Sequence, residues 1–151
     1  MKTTMRQFDA LTAFNGFITR TQLKVMTSGC MGEEGDFFRA KLTEYGERIA
    51  TMPVTYAQDG MGDQAIAYLH YFTPSADCWI TERDIGAPTD LVKGEQRQAF
   101  GLADLGYGPE LGYISIAEWL ESGAELDIHF TPCTLASLAA DRQAAEEFEA
   151  A

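Results

Sequence analysis

The sequence predicts an α+β fold: an antiparallel sheet of about five strands, N-terminal helices packed on one face, a short helix before the last strand and a C-terminal helix. Three observations predict it. The first third carries apolar residues at helical spacing between capping signals. From Ala65 to Asp84 two apolar runs flank the turn tetrapeptide Thr73-Pro-Ser-Ala76. From Ala99 to Phe130, AFGLADLGYG, ELGYISIAEWL and ELDIHF follow each other with almost no filler. Strand, turn, strand, helix and strand signals are read there in order.

The helical part spans 1–52. Phe8, Leu11 and Phe14 fit one helix face, which Asn15-Gly16 ends. Thr19-Arg-Thr-Gln22 has the form of a capping box and opens a helix through about Thr27, stopped by Ser28-Gly29. Glu33, Glu34 and Asp36 then put negative charge at a helix N-terminus, where the macrodipole favours it. Phe38, Leu42, Tyr45, Ile49 and Met52 step by four and three, an apolar stripe with Glu44 and Arg48 paired outside it. Pro53 ends that helix.

The sheet part spans 53–131. Asp59-Gly-Met-Gly-Asp63 is an acidic turn that lacks the alternating ligands and closing Glu of an EF-hand loop. Ala65 to Phe72 is apolar on both faces, as a central strand would be, and the hairpin turn leads into a strand over Asp77 to Asp84. Residues 86–97 read as a polar loop. Glu110 to Ile114 is short, apolar and Gly-punctuated, which predicts a buried strand. Ser115-Ile-Ala-Glu118 is a second capping box, with Ile114 and Trp119 spaced as a hydrophobic staple, and its helix should stop at Ser122-Gly123. Glu125 to Phe130 alternates, with Leu126, Ile128 and Phe130 on one face and Glu125, Asp127 and His129 on the other. These strands are expected as a meander with a helix inserted before the last. Residues 132–151 should form the C-terminal helix, with Leu135 and Leu138 inward and an acidic end prone to fray.

At 151 residues and 46% apolar content, one domain covering 1–151 is expected. No apolar run is long enough to span a bilayer, and MKTTMRQFDA lacks the apolar core of a signal peptide. Cys30, Cys78 and Cys133 are widely spaced and odd in number, so they read as free thiols of a cytoplasmic protein. Charge is uneven. Residues 1–97 carry 13 acids and 10 bases, a net of -3, whereas residues 98–151 carry 10 acids and only Arg142, a net of -9. Such a surface repels nucleic acid and anionic membranes, so neither is an expected partner.

MPVTYAQDGMGDQAIAYLHYF, CWITERD, QAFGLADLG, ELGYISIAEWL and GAELDIHFTPCTL resemble a family of small proteins of unknown function carried by conjugative plasmids, integrated elements and phages. Trp79-Ile-Thr-Glu82, Phe100-Gly-Leu102 and Glu110-Leu-Gly-Tyr-Ile-Ser115 carry the pattern, over about residues 52–138. The resemblance implies a mobile-element setting and brings no activity with it.

Signatures of chemistry are sparse. No GxSxG, GxGxxG or GxxxxGK occurs, so neither a serine nucleophile nor a nucleotide cradle is expected. No HExxH, HxH or Cys pair points to a metal, and no cofactor is expected. Two readings remain. The first is a non-enzymatic acidic interaction protein of a mobile element, with Glu110, Glu118, Glu121, Glu125 and Asp127 as partner-binding residues. Its partner would be a basic protein of the host or of the element, for instance a nucleic-acid-binding effector of restriction or CRISPR immunity. The second is a small metal-dependent or acid/base enzyme using His70, Glu82, Asp127 and His129, with Glu82 facing His70 across the hairpin.

Overall fold

The computed structural model describes residues 11–86 and 94–150. Phe8 and most of the polar loop expected at 86–97 lie outside the described residues. After a helical turn at residues 11–13, helices α1 (Arg20–Gly29) and α2 (Gly35–Thr51) are followed by a 3₁₀ turn at Gly62–Gln64. The strands are β1 (Ile66–Ala67), β2 (Leu69–Phe72), β3 (Asp77–Glu82), β4 (Ala99–Asp104) and β5 (Pro109–Ile114). Helix α3 (Ile116–Glu121), strands β6 (Glu125–Leu126) and β7 (Cys133–Thr134) and helix α4 (Leu135–Ala150) complete the chain. The predicted α+β class is the observed one.

The local signals act as read. Thr19 Oγ1 accepts from the Gln22 amide at 3.1 Å, and Ser115 Oγ accepts from the Glu118 amide at 3.2 Å. Each cap satisfies one of the amides that a helix start leaves without a partner. Gly123, at φ +91°, takes the left-handed turn after α3. Leu42, Tyr45, Ile49 and Met52 of the stripe are buried, and Phe38 packs against them at its edge.

The large sheet has the order β5-β4-β3-β2-β6, antiparallel throughout. One face, with Leu69, Tyr71, Cys78, Ile80 and Leu126, packs on Met26 of α1 and on the α2 stripe. Strand alternation turns Trp79 to the other face, where Leu135 and Leu138 of α4 meet it. The N-terminal helices therefore cover one face and the C-terminal helix part of the opposite one.

Four expectations change. The expected central strand 65–72 is split at Tyr68: β2 joins the large sheet, while β1 pairs with β7 in a two-stranded sheet of its own. The meander is interrupted because β6 crosses back to pair with β2 rather than with β5. That leaves β5 at the sheet edge, mostly exposed, where a buried strand was expected from Glu110 to Ile114. The strand expected over Glu125 to Phe130 stops at Leu126. Asp127 Oδ1 accepts from the His129 amide at 2.8 Å, an Asx turn that bends the chain out of the ladder.

The two sheet edges differ. At β6 the Gln22 side chain donates to the Leu126 carbonyl at 2.7 Å and accepts from its amide at 2.9 Å, so it pairs with β6 as a further strand would. Gln22 was read as the second half of a capping box, but tertiary contact takes its amide. Edge β5 has no such cover among the described residues.

Candidate functional site

The acids expected to bind a partner do not form one patch. Glu110 lies on β5 and Glu125 on β6, at opposite edges of the five-stranded sheet. Four strand spacings of about 4.8 Å put them about 19 Å apart. Glu118 and Glu121 are exposed on α3, near Arg97, whose guanidinium binds Glu95 at 2.7 Å and meets Glu121 at 3.8 Å. Asp127 is committed elsewhere: its Oδ2 lies 2.9 Å from His70 Nδ1.

Several arginines, by contrast, are turned toward the fold, while Arg20 and Lys24 are exposed. Arg48 donates to the Phe130 carbonyl at 2.9 Å from a position 4.1 Å above the Tyr45 ring. Arg83 donates to the Ile49 carbonyl at 2.8 Å, and Arg39 to the Cys30 carbonyl at 2.6 Å. Arg142 sits over Trp79 and binds Asp104, and this pairing holds the Asp104 carboxyl below its ordinary range. Arginine stems and guanidinium faces pack well on aromatic rings. Glu110, Glu118 and Glu125 are exposed carboxylates with no ion-pair partner among the described residues.

The residues of the enzymatic reading separate into different sites. His70 lies opposite Trp79, stacked on it at 5.0 Å between ring centres, with Nε2 2.8 Å from Asp77 and Nδ1 2.9 Å from Asp127. Through both ring nitrogens His70 meets carboxylate oxygens. It ties β2 to β3 and to the turn after β6. Asp127 and His129 line a shallow groove with Phe38 and Phe72, while Glu82 lines a different cleft with no histidine in its wall. The expected Glu82–His70 pair is not formed: Glu82 stands opposite Phe100. Among the described residues no group of three His, Cys, Asp or Glu side chains is placed to hold a metal ion.

The cleft around Glu82 is the most specifically built feature of the molecule. Its floor is a row across three strands, Glu82 opposite Phe100 and Phe100 opposite Tyr113. A β-bulge between Ile80 and Glu82 makes this row. Without it Thr81 would face Phe100, because a one-residue slip exchanges the two faces of a strand. Gly101 permits the close strand approach beside the bulge, since a Cβ there would lie 2.0 Å from the Trp79 carbonyl oxygen. Gln58 secures the irregular backbone. Its side chain donates to the Thr81 carbonyl at 2.8 Å and to the Ile66 carbonyl at 2.9 Å, and accepts from the Ile66 amide at 2.7 Å.

The Glu82 carboxyl is nearly enclosed, with 4% of the residue exposed. One oxygen accepts from the Gln58 amide at 3.2 Å and the other lies 3.2 Å from the Thr81 hydroxyl. No cation pairs with it among the described residues. Across the cleft, the Tyr56 and Tyr113 hydroxyls are 2.6 Å apart. That bond, then desolvation, then the nearby negative charges of Asp59 and Glu82 hold the Tyr113 phenol above its ordinary pKa. Tyr56 has φ +76°, the only positive φ at a non-glycine among the described residues. Bulky residues rarely adopt it, and such strain persists where the surroundings impose it. Thr55 does so here: its amide and hydroxyl both donate to the Arg83 carbonyl, at 2.9 and 3.1 Å.

Sequence reading singled out Glu82 but missed Tyr56, Gln58, Phe100 and Tyr113 as its companions. Period-two alternation from Phe100 and from Tyr113 would have put each on one strand face; their union with Glu82 depends on the bulge. Compared with family models, with curated proteins and with solved structures, the chain matches none.

Proposed function

We propose that the chain is a non-enzymatic acidic interaction protein that occupies the basic surface of a partner protein. The observation that carries this reading is the sorting of charge. Arg39, Arg48, Arg83 and Arg142 are spent on internal carbonyls, aromatic rings and ion pairs, leaving Arg20 and Lys24 as exposed cations, while Glu110, Glu118 and Glu125 stay exposed and unpaired among the described residues. With a net charge of -12, the surface field attracts a basic groove and speeds association with it. The resemblance to mobile-element proteins supplies a setting, in which the partner is a nucleic-acid-binding defence effector of the host. Asp127 drops out of the binding set, since His70 uses it.

The test is capture of host proteins at low salt, elution with a salt gradient, and competition for the captured protein's nucleic acid. A basic partner should elute with salt and lose its nucleic acid to this protein. Glu118→Gln/Glu121→Gln/Glu125→Gln should weaken capture on the order of tenfold, since exposed charge pairs are each worth up to about 1 kcal/mol. Equal capture by the triple variant, or no salt-eluted partner, refutes the reading.

A further inference from the structure

We propose that the Glu82 cleft is an anchor site for a single Lys or Arg side chain presented by the basic partner; this rests on the interaction reading above. The cleft encloses about 510 Å³, within the range of specific ligand sites. Its deepest polar group is a carboxylate removed from water. A carboxylate offers about four acceptor positions; here one is filled by the Gln58 amide, and the Thr81 hydroxyl serves either Glu82 or the Phe100 carbonyl, 3.1 Å away. Acceptor capacity remains, and no cation among the described residues pairs with it.

The walls match the rest of such a side chain. Phe100 and Tyr113 meet edge to face, 5.7 Å between ring centres at 88°, and Leu111 stands beside them. Apolar stems of Lys and Arg pack on such surfaces while their heads meet ring faces and carboxylates. An anion is repelled by Glu82 and Asp59. A neutral apolar side chain would cover the carboxylate without compensating it, which costs free energy. A cation with an apolar stem satisfies both walls and floor. The strained Tyr56 backbone and the Tyr56–Tyr113 bond hold the rings in place before the ligand arrives, which reduces the ordering cost of binding.

Titration of the isotope-labelled protein with Nα-acetyl-lysine methylamide and Nα-acetyl-arginine methylamide, followed by amide NMR, tests the assignment. Both should cause saturable shifts centred on Tyr56, Gln58, Glu82 and Tyr113. The norleucine analogue, which keeps the stem and lacks the charge, should not. Glu82→Gln and the exposed Tyr113→Ala should each weaken binding about tenfold or more, the scale of one charge-assisted contact or one cation–π contact. Should Glu82→Gln fail to fold, Tyr113→Ala carries the comparison. Equal shifts with norleucine, no shifts, or undiminished binding by the variants overturn the proposal. Failure here with salt-eluted capture intact refutes the anchor alone. Saturable lysine binding without any salt-eluted partner refutes the surface reading and keeps the cleft as a cation site.

Discussion

The Gln58 side chain donates to the Thr81 carbonyl at 2.8 Å, and this bond joins the segment after α2 to the bulge that builds the cleft. A bulge leaves one residue of a strand outside the ladder, and its polar groups need partners. Gln58 supplies one and clamps β1 through Ile66 as well.

Gln58→Leu should therefore cost roughly 3 kcal/mol. It leaves the Thr81 carbonyl and both Ile66 backbone groups short of partners, each orphaned buried group costing about 1–3 kcal/mol before relaxation. Urea unfolding reads this as a lower midpoint at unchanged slope. An unchanged midpoint would mean that the clamp does not hold the bulge.

Gly101→Ala should destabilise by about 2 kcal/mol or more, because the added methyl meets backbone that no rotamer change can move. The strands must part beside Trp79, so near-ultraviolet circular dichroism should change along with the unfolding midpoint. Wild-type stability in this variant would mean that the fold does not depend on the close approach of β3 and β4 at Gly101.

His70→Leu should cost about 2 kcal/mol, since it removes the hydrogen-bond partner of Asp77 Oδ1 and of Asp127 Oδ2. Adding Asp77→Asn should recover part of the loss by removing one of the two charges. If the single variant unfolds with the wild type, the bridge is dispensable.

Alkaline pH should weaken the fold. Burial raises the Tyr71 phenol well above its ordinary pKa, with the nearby Cys78 adding to it; burial also raises Tyr45 and Cys78. The native state thus keeps protons that the unfolded chain releases above about pH 9–10. This stability is complete below the unfolded values and is lost as pH rises toward the folded ones. Chemical denaturation midpoints should fall steadily above about pH 9. Tyr71→Phe, which also gives up the bond to the Phe17 carbonyl, should lessen the slope. A flat profile across that range contradicts the prediction.

The parts legible in sequence are those written in short windows. Thr19 and Ser115 cap their helices because each cap joins groups three residues apart. The α2 stripe is buried because helical spacing alone aligns Leu42, Tyr45 and Ile49. Glu82 is legible as a candidate acid, but the partner expected for it across the hairpin, His70, is not the one it meets. The regular hairpin register puts Trp79 opposite His70, and Glu82 meets Phe100 only through the β3–β4 bulge, which nothing local to Trp79-Ile-Thr-Glu82 announces. Gln22 shows the same limit, since its amide serves Leu126, 104 positions away.

The sequence by itself determined the class of fold, the capped helix starts at Thr19 and Ser115 and the acidic balance, because these follow from local spacing and from composition. Tertiary structure alone decided that β6 returns to β2, that β5 is an open edge and that Glu82 shares a row with Phe100 and Tyr113. These depend on register, which is set where strands distant in sequence meet. One inserted residue there exchanges the buried and exposed faces of everything that follows.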